Sequence, residues 1–331
     1  MTKQHMPTSD VLVAGILNGD TSALGRAITL VESQRKDHLE KANTIIQKCL
    51  SQKRDAIRIG ITGVPGVGKS TFIEILGKLL IADGNRVAVL AVDPTSTQSK
   101  GSILGDKTRM EHLVKEANAF IRPSPSGVNL GGVARKTRET IILCEAAGFN
   151  IILVETVGVG QSETTVHGMV DFFLLLKLSG AGDELQGIKR GIIEMADAIV
   201  INKADGKNIK QAKAAAQEFK RALHLYPPKE NGWIPTVLTC SALENKGIEA
   251  IRDLILDYIE KNKISGHFLE KRKRQNKNWL YESIEERLKS DFFDDETIGP
   301  ELDKFASKVM AETISPFQAA EQLIGMFKNK S

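Results

Sequence analysis

The stretch Gly63-Val64-Pro65-Gly66-Val67-Gly68-Lys69-Ser70-Thr71 decides how the rest of the chain is read. It fits G-x-x-x-x-G-K-[ST], the pattern of a phosphate-binding loop. Its flanks are those such a loop needs. Ile57 to Thr62 alternates apolar and polar residues and predicts a strand, whereas Phe72, Ile75, Leu76, Leu79 and Leu80 recur at helical spacing. Glycines let the backbone close around phosphate oxygens and aim its N–H groups at them. The helix that follows adds partial positive charge at its N-terminus. In this arrangement Lys69 would reach the β- and γ-phosphates, and the Ser70 hydroxyl would take a place on Mg2+.

Working outward, strands are predicted at 86–92, 119–122, 151–154, 172–176, 198–201 and 236–239, with helices over 133–147, 208–223 and 247–259. Strands alternating with helices predict an α/β fold, a P-loop NTPase with a mostly parallel sheet covered by helices on both faces. Residues 1–56 read as a helical preface, with Asp10 capping a first helix and Asp20 or Thr21 a second. The nucleotide domain is expected over 57–263. Beyond it, 264–331 reads as a helical arm suited to homodimer formation: one long charged helix over 266–289, a break at Gly299-Pro300, and a last helix from Pro316. The run Lys271-Arg272-Lys273-Arg274 reads as a solvated helix face.

Three further motifs carry chemistry. Asn202-Lys203-Ala204-Asp205 follows a predicted strand, and a carboxylate at Asp205 can accept from the N1–H and exocyclic amine of guanine, a donor pair adenine lacks. Ser241-Ala242-Leu243, after the last strand, matches a loop that closes over the base. The strand Ile151–Val154 runs into Glu155-Thr156-Val157-Gly158, a carboxylate for the metal and a glycine whose N–H can approach the γ-phosphate. Most GTPases have Asp where this chain has Glu155. Val159 stands where many place a water-orienting Gln, and Gln161 comes later, so intrinsic hydrolysis is expected to be slow. Asp93, at the end of a strand, and Asp106, in a loop made flexible by Gly101 and Gly105, are further candidates for Mg2+ or its waters.

Composition narrows the classes. A net charge of +4 over 331 residues, with no basic patch interleaved with aromatics, gives no reason to expect a nucleic-acid partner. The most apolar run, Phe172 to Leu178, contains Lys177 and is too short to span a bilayer, and Met1 to Asp10 lacks the apolar core of a secretory signal. Cys49, Cys144 and Cys240 sit apart among apolar neighbours, as in a reducing compartment, so a cytoplasmic protein is expected.

Together the phosphate loop, V-D-P-T-S-x-x-S-x-G-S-I-L-G-D-K-T-R-M, R-P-S-P-S-G-x-x-L-G-G-V-A, V-E-T-V-G-V-G-Q-S-E and N-K-A-D resemble the MeaB/ArgK GTPases. The likeness is densest from Ile59 to Asp205. It implies a homodimeric GTPase that binds GTP, GDP and Mg2+ and chaperones an adenosylcobalamin-dependent acyl-CoA mutase, methylmalonyl-CoA mutase or a relative. It carries roles to Lys69 and Ser70 on phosphate and metal, to Asp93, Asp106 and Glu155 around Mg2+, and to Asn202, Lys203 and Asp205 at the base. It also implies that the loop Gly182 to Lys189 transmits partner binding, with Lys189 bringing positive charge near the phosphates. From the residues alone, Lys189 reads as a surface lysine at a helix start.

Other classes compete. A metal-insertion GTPase would carry Cys-x-Cys pairs or His-rich tracts, but the six histidines are scattered and no cysteine pair exists. A kinase linked to basic amino-acid transport would need a second substrate site with a base near the γ-phosphate, and no motif supplies one. A nucleotide-dependent assembly module would show no hydrolysis stimulated by a partner.

Overall fold

The computed structural model describes residues 7–33, 35–52, 54–92, 110–123, 130–156, 158, 161–179 and 190–329. Seven strands, β1 (Ile57–Thr62), β2 (Val87–Val92), β3 (Ala119–Arg122), β4 (Ile151–Thr156), β5 (Phe172–Leu178), β6 (Ala198–Asn202) and β7 (Thr236–Thr239), form one sheet. Every pairing is parallel, in the order β3-β2-β4-β1-β5-β6-β7. All seven stand where the hydrophobic pattern predicts them. β4 and β5 run on beyond their apolar stretches, to Thr156 and Leu178. The central strands are near-continuous apolar runs because both of their faces are covered.

The preface is α1 (Ser9–Leu17), α2 (Thr21–Glu32) and α3 (Lys36–Leu50). Between strands lie α4 (Lys69–Ala82), α5 (Leu130–Ala146), α6 (Gln161–His167), α7 (Arg190–Met195) and α8 (Ile209–Leu223), and α9 (Ile248–Ile264) follows β7. On one face Ile59, Ile61, Leu153 and Leu174 pack with Phe72 and Leu76 of α4 and Ile251 and Ile255 of α9. On the other, Ile199 and Ile201 pack with Ala212, Ala216 and Phe219 of α8. The preface lies against α5. Polar ties fasten it there: Arg122 Nε donates to Glu32 Oε1 at 3.1 Å, and Lys136 donates to the Glu32 carbonyl.

Asp20 caps α2 as expected, accepting from Ser22 N at 2.8 Å. Asp10 does not cap α1. Thr8 takes that place, and Asp10 lies in the first turn, where its charge suits the helix dipole.

The chain divides into two compact units, Met1–Gln275 and Asn276–Ser331. α10 (His267–Phe293) is a 27-residue helix that runs from one into the other, followed by α11 (Ile298–Met310) and α12 (Pro316–Lys328). The second unit has a small core of Phe305, Ala319 and Leu323, bordered by Phe292, Leu302, Val309 and Ile314. Gly299 and Pro300 do not break the chain but sit in the first turn of α11. A proline is tolerated there because the first-turn N–H groups have no partner within the helix. The basic run is divided too. Lys271 and Arg272 turn inward onto Asp171, whereas Lys273 and Arg274 stay exposed, paired with Glu270 and Glu230. Among the described residues no helix is long and apolar enough to cross a membrane.

Candidate nucleotide site

β1 is central, between β4 and β5, and the loop that leaves it wraps residues 63–68 before α4 begins at Lys69. This is a topological switch point, where ligands of parallel sheets bind at the carboxyl ends of the strands. Gly68 precedes the helix with a φ of +93°, and a methyl there would meet Asn202 Nδ2 at 2.8 Å, so the position requires glycine. Val67 is buried and anchors the loop, while Pro65 and Gly66 are exposed at its tip. Lys69 Nζ folds back and donates to the Gly63 carbonyl at 2.7 Å and the Val64 carbonyl at 3.3 Å. The ammonium therefore stands over the loop where phosphate oxygens would replace those carbonyls.

Ser70 and Glu155 come together as expected. The Ser70 hydroxyl donates to Glu155 Oε1 at 3.3 Å. A hydroxyl and a carboxylate converging at a helix N-terminus form an oxygen-only donor set, which fits Mg2+ completed by phosphate and water. Thr71 is exposed one residue further into α4. Gly158 lies against Gly63 so closely that a methyl on it would collide with the Gly63 carbonyl oxygen. Asp93, Asp106 and Lys189 lie outside the described residues, as do Val157, Val159 and the loop from Gly182 to Lys189.

The base motif sits at the end of β6. Asp205 Oδ2 accepts from the Ser241 hydroxyl at 2.5 Å, which aims the carboxylate. Ser241 is held in turn by a pair of backbone bonds with Lys246, each 3.0 Å, and accepts from Glu244 N at 3.1 Å. Leu243 is 83 % exposed, an apolar surface beside the place for a base. Asn202 and Lys203 do something the motif alone does not announce. Asn202 Nδ2 donates to the Val67 carbonyl at 2.9 Å, and Lys203 Nζ donates to the Gly66 carbonyl at 2.8 Å. Lys203 does this from a left-handed backbone, φ +58°, a conformation uncommon outside glycine. The base motif thus braces the phosphate loop.

Sequence reasoning also missed Cys240. Its thiol donates to Asn202 Oδ1 at 3.3 Å, beside the Ala242 N–H at 3.2 Å, and so helps orient the amide toward Val67. Burial pushes this thiol up to about 12, so it acts as a neutral donor. The only signal in the sequence was its place directly before Ser241.

The family model described as methylmalonyl Co-A mutase-associated GTPase MeaB matches residues 24–297. The chain belongs to the MeaB family. A protein of Mycobacterium tuberculosis named as a probable GTPase is 48 % identical over 317 residues, 96 % of this chain and 94 % of its relative. The mouse protein named methylmalonic aciduria type A homolog, mitochondrial, is 44 % identical over 331 residues, 97 % of this chain and 80 % of its own length. A solved structure described as a LAO/AO transport system kinase superposes with a TM-score of 0.77 at 37 % identity, covering 97 % of each chain. As a MeaB protein the chain is a GTPase, and membership of the family implies that it binds GTP and GDP.

Proposed function

We propose that this chain is a GTP-driven chaperone of an adenosylcobalamin-dependent acyl-CoA mutase, methylmalonyl-CoA mutase or a close relative, gating cofactor loading and reactivation. The observation that carries this reading is the MeaB match across residues 24–297, supported by the likeness to the mouse protein named for methylmalonic aciduria. The bracing of the phosphate loop by Asn202 and Lys203 suits a switch, because base contacts and phosphate contacts then report on one another.

In this reading Ser70 and Glu155, with Asp93 and Asp106, hold Mg2+, which when bound offsets charge on the β- and γ-phosphates. Lys69 spans the same phosphates. Gly158 offers its N–H to the γ-phosphate. No Gln follows Gly158, so basal hydrolysis is slow, and the docked mutase orders Gly182–Lys189 to bring Lys189 to the phosphates. The arm from residue 264 builds a homodimer. Leu280, Ile284 and Leu288, spaced four apart on α10, are 59 %, 47 % and 61 % exposed and would be covered by a second copy. The protein works in the cytoplasm, in keeping with three buried, unpaired cysteines.

The test is single-turnover GTP hydrolysis with and without the mutase from the same cell, for the native chain and for Lys189→Ala. Acceleration of the native chain by two orders of magnitude or more, roughly what correctly placed positive charge supplies, with most of it lost in Lys189→Ala, is the expected result. Absence of any acceleration, together with failure of the two proteins to co-elute with a GTP analogue present, would overturn the chaperone reading. A second reading is favoured by the likeness to the structure described as a transport-system kinase. It would require the γ-phosphate to appear on a second substrate rather than as free phosphate, and the same assay distinguishes the two.

A further inference from the structure

Thr62 and Thr156 are the last residues of β1 and β4. Each is 1 % exposed, and the Thr156 hydroxyl donates to Thr62 Oγ1 at 2.8 Å, across 94 positions of sequence. Their strands are in register, with Ile61 beside Glu155. Successive side chains alternate faces, so the threonines meet on the sheet face opposite to Glu155. Glu155 looks toward α4 and Ser70. Gly60, on the threonines' face, is backed by Val166 of α6 and by Val170.

The positions flanking this pair are apolar: Val92 of β2 lies beside Thr156, and Leu175 of β5 beside Thr62. A hydrogen bond buried among apolar neighbours adds little that a valine pair of equal shape would not, as far as stability alone is concerned. What it adds is a fixed spacing. Directly beyond it, Gly63 and Gly158 are in close contact, and Lys69 Nζ donates to the same Gly63 carbonyl at 2.7 Å. One residue before Thr156, Glu155 meets Ser70 at 3.3 Å.

We propose that the Thr62–Thr156 hydroxyl pair is a positioning element for GTP hydrolysis. It ties the carboxyl ends of β1 and β4 together and so sets the approach of Glu155 to Ser70 and of Gly158 to Gly63. The proposal rests on the reading of Glu155 as a carboxylate of the metal site.

The test uses the full chain in five forms: native, Thr62→Val, Thr62→Val with Thr156→Val, Thr156→Ser, and Glu155→Ala. Urea unfolding, release of fluorescent mant-GDP with and without Mg2+, and single-turnover GTP hydrolysis are measured on each. The single valine variant leaves one hydroxyl unpaired and loses stability, and the double variant regains most of it. Despite that recovery, the double variant hydrolyses GTP roughly tenfold more slowly or worse, since small misplacements in a site are costly. Mg2+ also loses roughly tenfold or more of its affinity for the GDP complex, as when an outer-shell partner of a metal ligand is removed. Its mant-GDP release without Mg2+ stays native. Thr156→Ser, which keeps the hydroxyl, behaves as native throughout.

A double valine variant with native hydrolysis and native Mg2+ response, beside a Glu155→Ala variant that has lost both, overturns this proposal alone. A Glu155→Ala variant with native Mg2+ response overturns the reading beneath it and the proposal with it. A Thr156→Ser variant as impaired as the valine variants assigns the effect to volume, and that also overturns the proposal.

Discussion

Arg272 grips Asp171 through two parallel hydrogen bonds, Nε to Oδ1 at 2.8 Å and Nη2 to Oδ2 at 2.7 Å. The same guanidinium reaches the Ala56 carbonyl at 2.7 Å, Lys271 Nζ donates to the Asp171 carbonyl at 2.7 Å, and Gln275 Nε2 donates to the Val170 carbonyl at 2.8 Å. Arg58 N completes Asp171 with a bond of 2.8 Å to Oδ2. The second and third turns of α10 are thereby fastened to the amino ends of β1 and β5, the sheet edge opposite the nucleotide. Asp171 is 1 % exposed, so losing Arg272 strands a buried charge. Arg272→Ala is expected to cost about 3 kcal/mol in urea unfolding. Arg272→Lys recovers little, because an ammonium cannot reproduce the fork. A loss below about 1 kcal/mol would class the pair with exposed ion pairs.

The same contacts dictate where the chain can be cut. A chain ending at Gln275 keeps all of these bonds, whereas one ending at Lys263 loses every bond from α10. Residues 1–275 should therefore fold, bind GDP as the full chain does and sediment as a monomer, while the full chain sediments as a dimer. Residues 1–263 should be markedly less stable. Analytical ultracentrifugation of the two longer forms decides the point, and a dimeric 1–275 would refute the role given to the arm.

Asp205 is aimed by the Ser241 hydroxyl at 2.5 Å. Asp205→Asn replaces an acceptor by a donor against the guanine amine. GTP affinity should fall roughly ten- to a hundredfold, the range for a hydrogen bond to a charged group. Xanthosine triphosphate, which carries an oxygen at that place, should gain. Competition binding with the two nucleotides measures the exchange, and an unchanged preference would remove Asp205 from the base site.

His167, on α6, packs edge-on against Phe173 with ring centroids 5.5 Å apart. Burial first, then the Lys271 cation, pushes its imidazole down to about 4, with Lys229 adding to the effect and Asp197 opposing it. The folded state therefore holds the ring neutral, while the unfolded chain takes up a proton from about pH 6.5 downward. The resulting stability is fully present above pH 6.5 and drains as pH falls toward 4, by on the order of 3 kcal/mol over that window. His167→Gln should flatten the stability profile there by one proton. Identical pH slopes for the two proteins, read by urea unfolding from pH 7 to 4.5, would refute this account.

Much of the fold was legible because its signals are local. The loop from Gly63 to Thr71 names its own chemistry through glycines, Lys69 and Ser70 in a strand–loop–helix setting. Apolar runs such as Phe172 to Leu178 mark strands covered on both faces, and the alternation of strands with helices makes the sheet parallel. Glu155 and Asp205 were singled out for the same reason: each lies at the carboxyl end of a strand, Glu155 within the end of β4 and Asp205 just past β6, where a parallel sheet presents its ligands.

What the sequence by itself determined, then, is the identity of the elements and the chemical groups each carries. Only the tertiary structure decided which of those groups meet. Asn202 and Lys203 reach carbonyls 135 and 137 positions away because β1 lies two strands from β6, an order that no periodicity records. Thr62 finds Thr156 because β4 enters beside β1 in one register, and a slip of β4 by one residue would turn the Thr156 hydroxyl to the face away from Thr62. Lys271 to Arg274 look alike in sequence, yet two are inward anchors and two are exposed. Consecutive residues on a helix point about 100° apart, so a run of four spans its whole circumference, and only the surface it docks on selects which side is buried.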